Sequence, residues 1–168
     1  ERLEREYTLD IIATAPSVEY EVIMSDGKLL RIESPAGLPE ESEIVEIREP
    51  WMRIQVYSPE VYYGTIMELV TSRRGVFVEQ QYPPGGRVLL SFKMPLSELI
   101  VDFYHHLKSR TRGYASLDHQ VDCYQAEDLV RLQILVNHQP VDALATIVHR
   151  EAAYRKGQKL ITKLKELI

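Results

Sequence analysis

The chain has 168 residues, with 20 Lys and Arg against 25 Asp and Glu and a formal net charge of −5 at neutral pH. This balance excludes a protein that binds nucleic acid with its whole surface, as a polycation would. The single cysteine, Cys123, excludes an intramolecular disulfide, and no apolar run approaches the roughly 20 residues of a membrane-spanning helix.

The first 48 residues are predicted to be the end of an upstream α+β domain followed by a linker. Asp26-Gly27 between two apolar runs predicts a hairpin turn. The first 50 residues carry thirteen acidic and five basic side chains, so we expect nucleic-acid contacts elsewhere. The predicted helix tail, strand, hairpin strands, linker and short connecting strand are Glu1–Tyr7, Leu9–Ala13, Val18–Met24, Leu29–Ile32, Ser34–Ser42 and Ile44–Ile47.

Residues 49–125 are predicted to form an α+β unit with the ferredoxin-like split βαβ arrangement. The first helix is predicted to begin at Ser58 as N-cap, with Pro59 at the first helical position, and to end at Gly75. Two helices should cover one face of a four-stranded antiparallel sheet. The predicted strands are Trp51–Tyr57, Val76–Tyr82, Val88–Met94 and Tyr114–Tyr124, and the second helix spans Leu96–Leu107.

Residues 126–168 are predicted to begin a further C-terminal domain, so partial domains flank the central unit on both sides. Apolar alternation predicts strands at Val130–Val136 and Val141–Val148, with a turn at Asn137–Pro140. A closing helix is predicted over Glu151–Ile168, because apolar positions recur there at helical spacing.

The ferredoxin-like arrangement predicts which cations share one end of the central unit. The loop after the second helix should lie beside the start of the first helix and beside the hairpin that contains Arg87. Lys108, Arg110 and Arg112 would then gather with Arg87 where RNA phosphates could bind, and the helix N-terminus would favour the same anions. Solvated surface charges are the alternative interpretation. Arg73 and Arg74 are predicted to form a second, separate contact at the opposite end.

The closing helix presents a second basic surface. Arg155, Lys159 and Lys163 recur at i, i+4 and i+8 and therefore share one side of the helix, with Lys156 beside them. This pattern is typical of a solvated outer face, and an RNA-facing helix is the alternative. The tyrosines fit amphipathic packing best, with base stacking as an alternative for Tyr57, Tyr62, Tyr63, Tyr82 and Tyr114.

The chain shows no combination of residues typical of an enzyme active site. The five histidines are not spaced as zinc ligands, Cys123 is the only thiol, and no phosphate-binding glycine motif is present. We therefore predict no catalytic residue, no metal ligand and no cofactor in this chain. A small-molecule-sensing regulatory module is the alternative to RNA binding, because split βαβ units also serve that purpose. It predicts a concave apolar pocket with convergent polar groups.

Several strings resemble the elongation factor 4 (LepA) family of translational GTPases along essentially the whole chain. The most specific string ends in Gly-Tyr-Ala-Ser-Leu-Asp, which elongation factor G and the BipA family lack. His119 departs from the pattern, because family members often have tyrosine there. The matching strings are Arg2–Tyr7, Thr14–Val18, Arg48–Pro50, Leu107–Asp118 and Asn137–Leu144.

The resemblance implies a C-terminal fragment whose GTP-binding domain lies upstream. The parent would hydrolyse GTP with magnesium, bind ribosomal RNA and proteins, and promote back-translocation of tRNAs. Residues 49–125 would correspond to the elongation factor G C-terminal domain. The residues after 125 would correspond to the start of the domain that is particular to the family, and this domain reaches toward tRNA. The implied protein is a cytoplasmic monomer with no DNA partner, and the resemblance also implies peripheral association with the inner membrane.

Overall fold

The computed structural model describes residues 18–167 of the chain. Glu1–Tyr7, Leu9–Ala13 and the last residue of the predicted closing helix lie outside the described residues. Within them, six strands form one antiparallel sheet. Their bounds are β1 Tyr20–Met24, β2 Leu29–Ile32, β3 Ile44–Pro59, β4 Val76–Gln81, β5 Arg87–Pro95 and β6 Ser116–Glu127.

The central unit has the predicted ferredoxin-like fold. Its strands lie in the order β6, β3, β5, β4, and each neighbouring pair is antiparallel. The hairpin turn between β1 and β2 is also confirmed, and Gly27 has a φ of +83° there. The α+β assignment from sequence alternation is therefore confirmed, because the strand order is that of a split βαβ unit.

Three helices pack on the sheet: α1 Tyr63–Ser72, α2 Leu96–Leu99 and α3 Phe103–Arg110. Their apolar residues meet alternate positions of β3 and β5, as the period-two pattern predicts. The largest fully buried side chains of this core include Ile54, Ile66, Leu90, Phe92, Phe103 and Leu107.

The predicted second helix is in fact two helices. Asp102 has a φ of +56°, in the left-handed region, and separates α2 from α3. Aspartate tolerates this conformation better than most residues. After the break, Phe103 and Leu107 of α3 are both fully buried.

β3 is one strand of 16 residues, where two separate strands were predicted. Its first part pairs with β1 up to Arg48, and its last part pairs with β5 from Trp51 onward. Pro50 lies between these two pairings, where its missing N–H is best tolerated. β6 pairs along the other side of β3, from Ile47 to Tyr57. The predicted domain boundaries at 48/49 and 125/126 therefore fall inside continuous strands, and the division itself stays a prediction.

The C-terminal segment forms two small two-stranded sheets and a helix. The predicted strand Val130–Val136 is interrupted, and the predicted strand Val141–Val148 is shortened because Asp142–Leu144 forms a 3-10 turn. The elements are β7 Leu129–Leu132, β8 Leu135–Val136, β9 Gln139–Pro140, β10 Thr146–His149 and α4 Arg150–Leu167. Among the described residues, no helix combines the length and apolar character needed to cross a membrane.

Candidate nucleic-acid interface

One end of the central unit gathers cations and tyrosines from four elements. The register pairs Pro59 with Arg87 and Tyr57 with Ser116, so the end of β3 lies beside the starts of β5 and β6. The loop after α3 leads directly into β6, which places it at this same end. We call this end the rim, and it comprises Tyr57, Tyr62, Arg87, Lys108, Arg110, Arg112 and Tyr114.

The loop between α3 and β6 is held by hydrogen bonds at both of its ends. The Thr111 hydroxyl is fully buried, donates to the Leu107 carbonyl at 2.8 Å and accepts from the Ala115 N–H at 3.2 Å. The Gly113 N–H donates to the Lys108 carbonyl at 2.7 Å. Arg112 and Gly113 both have left-handed backbones, with φ of +52° and +79°. The loop therefore has one defined shape.

Gly113 is needed for its backbone conformation. Its positive φ favours glycine, whereas a Cβ built there would meet no heavy atom within 4 Å. The neighbouring Arg112 adopts a similar φ despite its side chain. Because Thr111 and Ala115 are buried on either side, Arg112 and Tyr114 are exposed at the tip of the loop.

The rim cations have no carboxylate partner among residues 18–167. Arg110 and Arg112 are exposed, and no carboxylate of the described residues forms a salt bridge with either. The Lys108 ammonium donates to the Gly113 carbonyl at 3.4 Å and lies 5.5 Å from the Tyr104 ring centroid. The Arg87 guanidinium lies 5.2 Å from the Tyr57 ring centroid. These positive charges remain available to an anionic ligand.

The helix start beside the rim is different from the predicted one. Ser58 is fully buried inside β3, and its hydroxyl donates to the Pro59 carbonyl at 3.1 Å, so it does not cap a helix. Pairing of Pro59 with Arg87 extends the strand, and a 3-10 turn at Glu60–Tyr62 precedes α1. The Glu60 N–H already donates to the Gly86 carbonyl at 2.9 Å. The cations, rather than this terminus, would attract phosphate.

Arg73 and Arg74 lie at the opposite end of the unit, as predicted, but protein acceptors occupy their guanidinium groups. Arg73 donates to the Val101 carbonyl at 2.6 Å. Arg74 hydrogen-bonds the carboxylate of Glu49 and lies 3.7 Å from Glu127 Oε2. Their predicted contact with RNA would require these internal bonds to break, so we leave both arginines out of the interface.

The Glu49–Arg74 ion pair is buried where the segments meet. Glu49 is 1% exposed, and its burial raises the pKa of its carboxyl, while the Arg74 guanidinium opposes that rise. Burial, with the Glu49 charge nearby, also raises the pKa of Tyr20 to about 12. Arg74 additionally lies 6.0 Å from the Trp51 ring centroid. The pair therefore joins β3 to the end of α1.

Gly75 allows the chain to turn back beside α1 at this end. The helix ends at Ser72, shortly before the predicted stop at Gly75, and Arg74 is left-handed with a φ of +59°. The Gly75 N–H donates to the Val70 carbonyl at 2.9 Å. A Cβ at Gly75 would lie 2.2 Å from Val70 Cγ1, so close approach requires glycine here.

The closing helix α4 divides its cations between two roles. Arg155, Lys159 and Lys163 are exposed on one side, and no carboxylate of residues 18–167 forms a salt bridge with them. Lys156 is half-buried and pairs with Glu98 at 3.3 Å, which ties the helix to α2. Three of the four predicted cations are thus available to a ligand, and the fourth fixes the helix.

A cavity of about 360 Å³ lies between the segment before β3 and the segment after β6. Five carboxylates and two arginines line it, and Arg150 bonds Asp128 and Glu41 across it, both at 3.0 Å. Eight of its fifteen lining residues are charged or polar, whereas a small-molecule pocket is lined mostly by apolar side chains with a few polar groups. In the same described range, no group of three or more His, Cys, Asp or Glu could hold a metal ion.

Sequence reasoning missed the role of Thr111 and did not single out Tyr114 among the tyrosines. Thr111 gives no signal, because its role depends on the burial of a loop. Tyr114 appears only as part of a general tyrosine content, although its position between Gly113 and the start of a strand is a usable hint.

Comparison with known proteins identifies relatives for the whole chain. The family model described as "Elongation factor G C-terminus" matches residues 46–135. Proteins named "Elongation factor 4" from Thermosynechococcus vestitus and Lacticaseibacillus casei are each 51% identical to this chain over 168 residues. The protein of that name from Synechococcus elongatus is 48% identical. The chain is covered completely in each case and spans 28% of each relative's length.

Proposed function

Because this chain belongs to the elongation factor 4 family and contains the elongation factor G C-terminus domain, we propose that it docks a translation factor on ribosomal RNA through the rim. The observation that carries this proposal is the loop between α3 and β6. It holds Arg110 and Arg112 exposed and free of described carboxylates, in a defined backbone shape. Guanidinium groups in such an arrangement recognise phosphate by charge and by paired hydrogen bonds.

The rim would recognise RNA backbone rather than sequence. Phosphate contacts from arginine and lysine position a protein on nucleic acid and dominate its affinity. The net charge of −5 makes a diffuse electrostatic attachment unfavourable, so local clusters must supply the contacts. Arg87 and Lys108 would add charge beside Arg110 and Arg112, with less freedom because each lies over a tyrosine ring.

The exposed side of α4 would form a second contact, with tRNA as its ligand. Arg155, Lys159 and Lys163 lie on one side of the helix and are spaced to follow a phosphate backbone. In this proposal residues 49–125 dock the factor. Residues 1–48 are the end of an upstream domain followed by a linker, and residues 126–168 begin the tRNA-directed domain.

The remaining activity would belong to the whole protein rather than to this chain. The intact factor would hydrolyse GTP with magnesium in another domain and use that energy to promote back-translocation of tRNAs. Our proposal places no catalytic residue in the described segment. A factor that acts on ribosomes would work in the cytoplasm, and its peripheral association with the inner membrane stays a prediction from family resemblance.

The test is ribosome binding of the intact protein carrying Arg110→Ala and Arg112→Ala together, measured by co-sedimentation across salt concentrations. Each lost phosphate contact should make the plot of log affinity against log salt less steep, by about 0.7–0.9 in slope. The double variant should therefore bind more weakly and lose about 1.5 units of slope. Arg73→Ala is the matched control, because that cation is bonded internally. Unchanged affinity and slope in the double variant would refute docking through the rim.

A further inference from the structure

The rim presents an exposed tyrosine that the phosphate contacts do not use. Tyr114 is 60% exposed, although it follows the glycine of a well-ordered loop. Tyr62 packs nearly parallel to it, with ring centroids 6.4 Å apart and an interplanar angle of 19°. Tyr62 is half-buried and packs against the core. One side of the Tyr114 ring is therefore supported from below, while most of its apolar surface remains open.

The loop fixes the backbone of Tyr114, and Tyr62 packs against its ring, before any ligand arrives. The Tyr114 N–H donates to the Thr111 carbonyl at 2.9 Å, and the neighbouring Ala115 is fully buried. A rigid aromatic ring loses little conformational entropy on binding, so its contact area contributes efficiently to affinity. An exposed ring held this way favours a flat apolar ligand.

The charges around the ring identify the class of that ligand. Arg112 lies two residues away, and Arg110 and Lys108 lie on the preceding turn of α3. A flat apolar face joined to negative charge is the chemistry of a nucleotide. A base-paired duplex offers phosphates but keeps its base faces stacked, so only an unpaired base could reach the ring.

We propose that Tyr114 is a stacking platform for an unpaired base of the RNA that the rim binds, with Arg112 on an adjacent phosphate. This inference rests on the proposed docking function and adds a recognition element to it. The rim would then select single-stranded loops or bulged nucleotides over regular duplex. Tyr62 would act as a positioning residue, because it supports the Tyr114 ring without contacting the base.

The test compares Tyr114→Ala, Tyr114→Leu and Tyr114→Phe in the intact protein, with ribosome co-sedimentation across salt. Loss of one stacked base should weaken binding about 5- to 150-fold in the Ala and Leu variants. The salt slope should not change, because no phosphate contact is lost. The Phe variant should bind within about 2-fold of the wild type, since it keeps the aromatic face. The Leu variant retains an apolar contact for Tyr62, which guards against a folding defect.

A second measurement uses two RNA probes at low salt, a 12-nucleotide single strand and a 12-base-pair duplex. Tyr114→Ala should lose affinity for the single strand and keep its affinity for the duplex. Equal losses on both probes, a fall in salt slope, or a Phe variant as weak as Ala would overturn the stacking role. Weaker ribosome binding with unchanged binding to both probes would assign Tyr114 to a protein contact and also overturn it.

The two proposals fail separately. If Arg110→Ala with Arg112→Ala binds ribosomes like the wild type, docking through the rim is refuted. If that double variant is weakened while Tyr114→Ala binds like the wild type, docking stands and only the stacking role is refuted.

Discussion

The two ends of the central unit carry arginines of equal formal charge, but at one end these arginines are exposed and at the other they bond to groups of the protein. At the rim, Arg110 and Arg112 are exposed and form no salt bridge with the described carboxylates. At the other end, Arg74 neutralises the buried Glu49, and Arg73 donates to the Val101 carbonyl. A count of cations therefore says little about where a polyanion binds. What matters is whether each charge already has a partner inside the protein.

The same contrast separates stability from binding. Removing a rim arginine takes away a solvated charge, and surface substitutions of this kind usually change stability little. Removing Arg74 leaves a carboxylate buried without its counter-charge, which is strongly destabilising. The two ends should therefore respond to the same substitution in different assays.

The largest expected effect is that of Arg74→Ala on stability. We expect a loss of about 3–5 kcal/mol in the free energy of unfolding at neutral pH, because Glu49 would remain buried and uncompensated. Urea unfolding of the variant and of Arg110→Ala gives the comparison, and Arg110→Ala should stay within about 0.5 kcal/mol of the wild type. Equal stabilities of the two variants would remove the distinction between the ends.

The Arg74→Ala deficit should depend on pH. Burial raises the pKa of Glu49, so the native state holds the proton of this carboxyl more tightly than the unfolded chain does, and this contribution to stability is lost as pH rises through the folded-state pKa. Arg74 opposes that rise, so its removal raises the pKa of Glu49 further. The stability gap between variant and wild type should therefore shrink as pH falls from neutral toward the folded-state pKa of Glu49. The gap should lose this pH dependence when Glu49→Gln is present in both proteins, and a constant gap without that substitution would contradict the assignment.

Thr111→Val should sharpen the comparison at the rim itself. Valine matches the shape of threonine but leaves the Ala115 N–H buried without its acceptor, at a cost of about 1–3 kcal/mol. Because the loop would lose its defined shape, ribosome affinity should fall together with stability. Chemical unfolding and co-sedimentation on the same variant check both. Full retention of ribosome affinity would show that the loop shape does not matter for binding.

The smallest effect should be that of Arg73→Ala. Its hydrogen bond to the Val101 carbonyl is exposed, so we expect a stability change within about 1 kcal/mol. Ribosome affinity and salt slope should match the wild type, although one positive charge is gone. A clear fall in slope would mean that this end also contacts RNA.

Sequence periodicity was sufficient to predict the ferredoxin-like unit because its core is built from alternating apolar residues. Ile54, Leu90 and Phe92 are buried where the period-two pattern requires. The gathering of Arg87 with the α3–β6 loop followed from topology alone. The role of Gly113 was also predictable, since a glycine between cations and a strand suggests a left-handed turn.

The partners of Arg74 were beyond sequence reasoning. Glu49 is next to Pro50, which is typical of a loop, yet both are buried in the middle of a strand. Its ion pair joins residues 25 positions apart, and no local pattern encodes that contact. The N-cap at Ser58 failed for a related reason: pairing with β5 extended the strand past a locally good helix start.

The unbroken β3 has a mechanical consequence. At about 3.3 Å per residue, its 16 residues span roughly 50 Å. The β1–β2 hairpin pairs with one end of this strand, and the rim lies at the other end. A register shift of one residue would move every side chain of β3 to the opposite face of the sheet, so its pairing with neighbouring strands is fixed. Rotation of the β1–β2 hairpin would therefore be transmitted to the rim along one continuous strand.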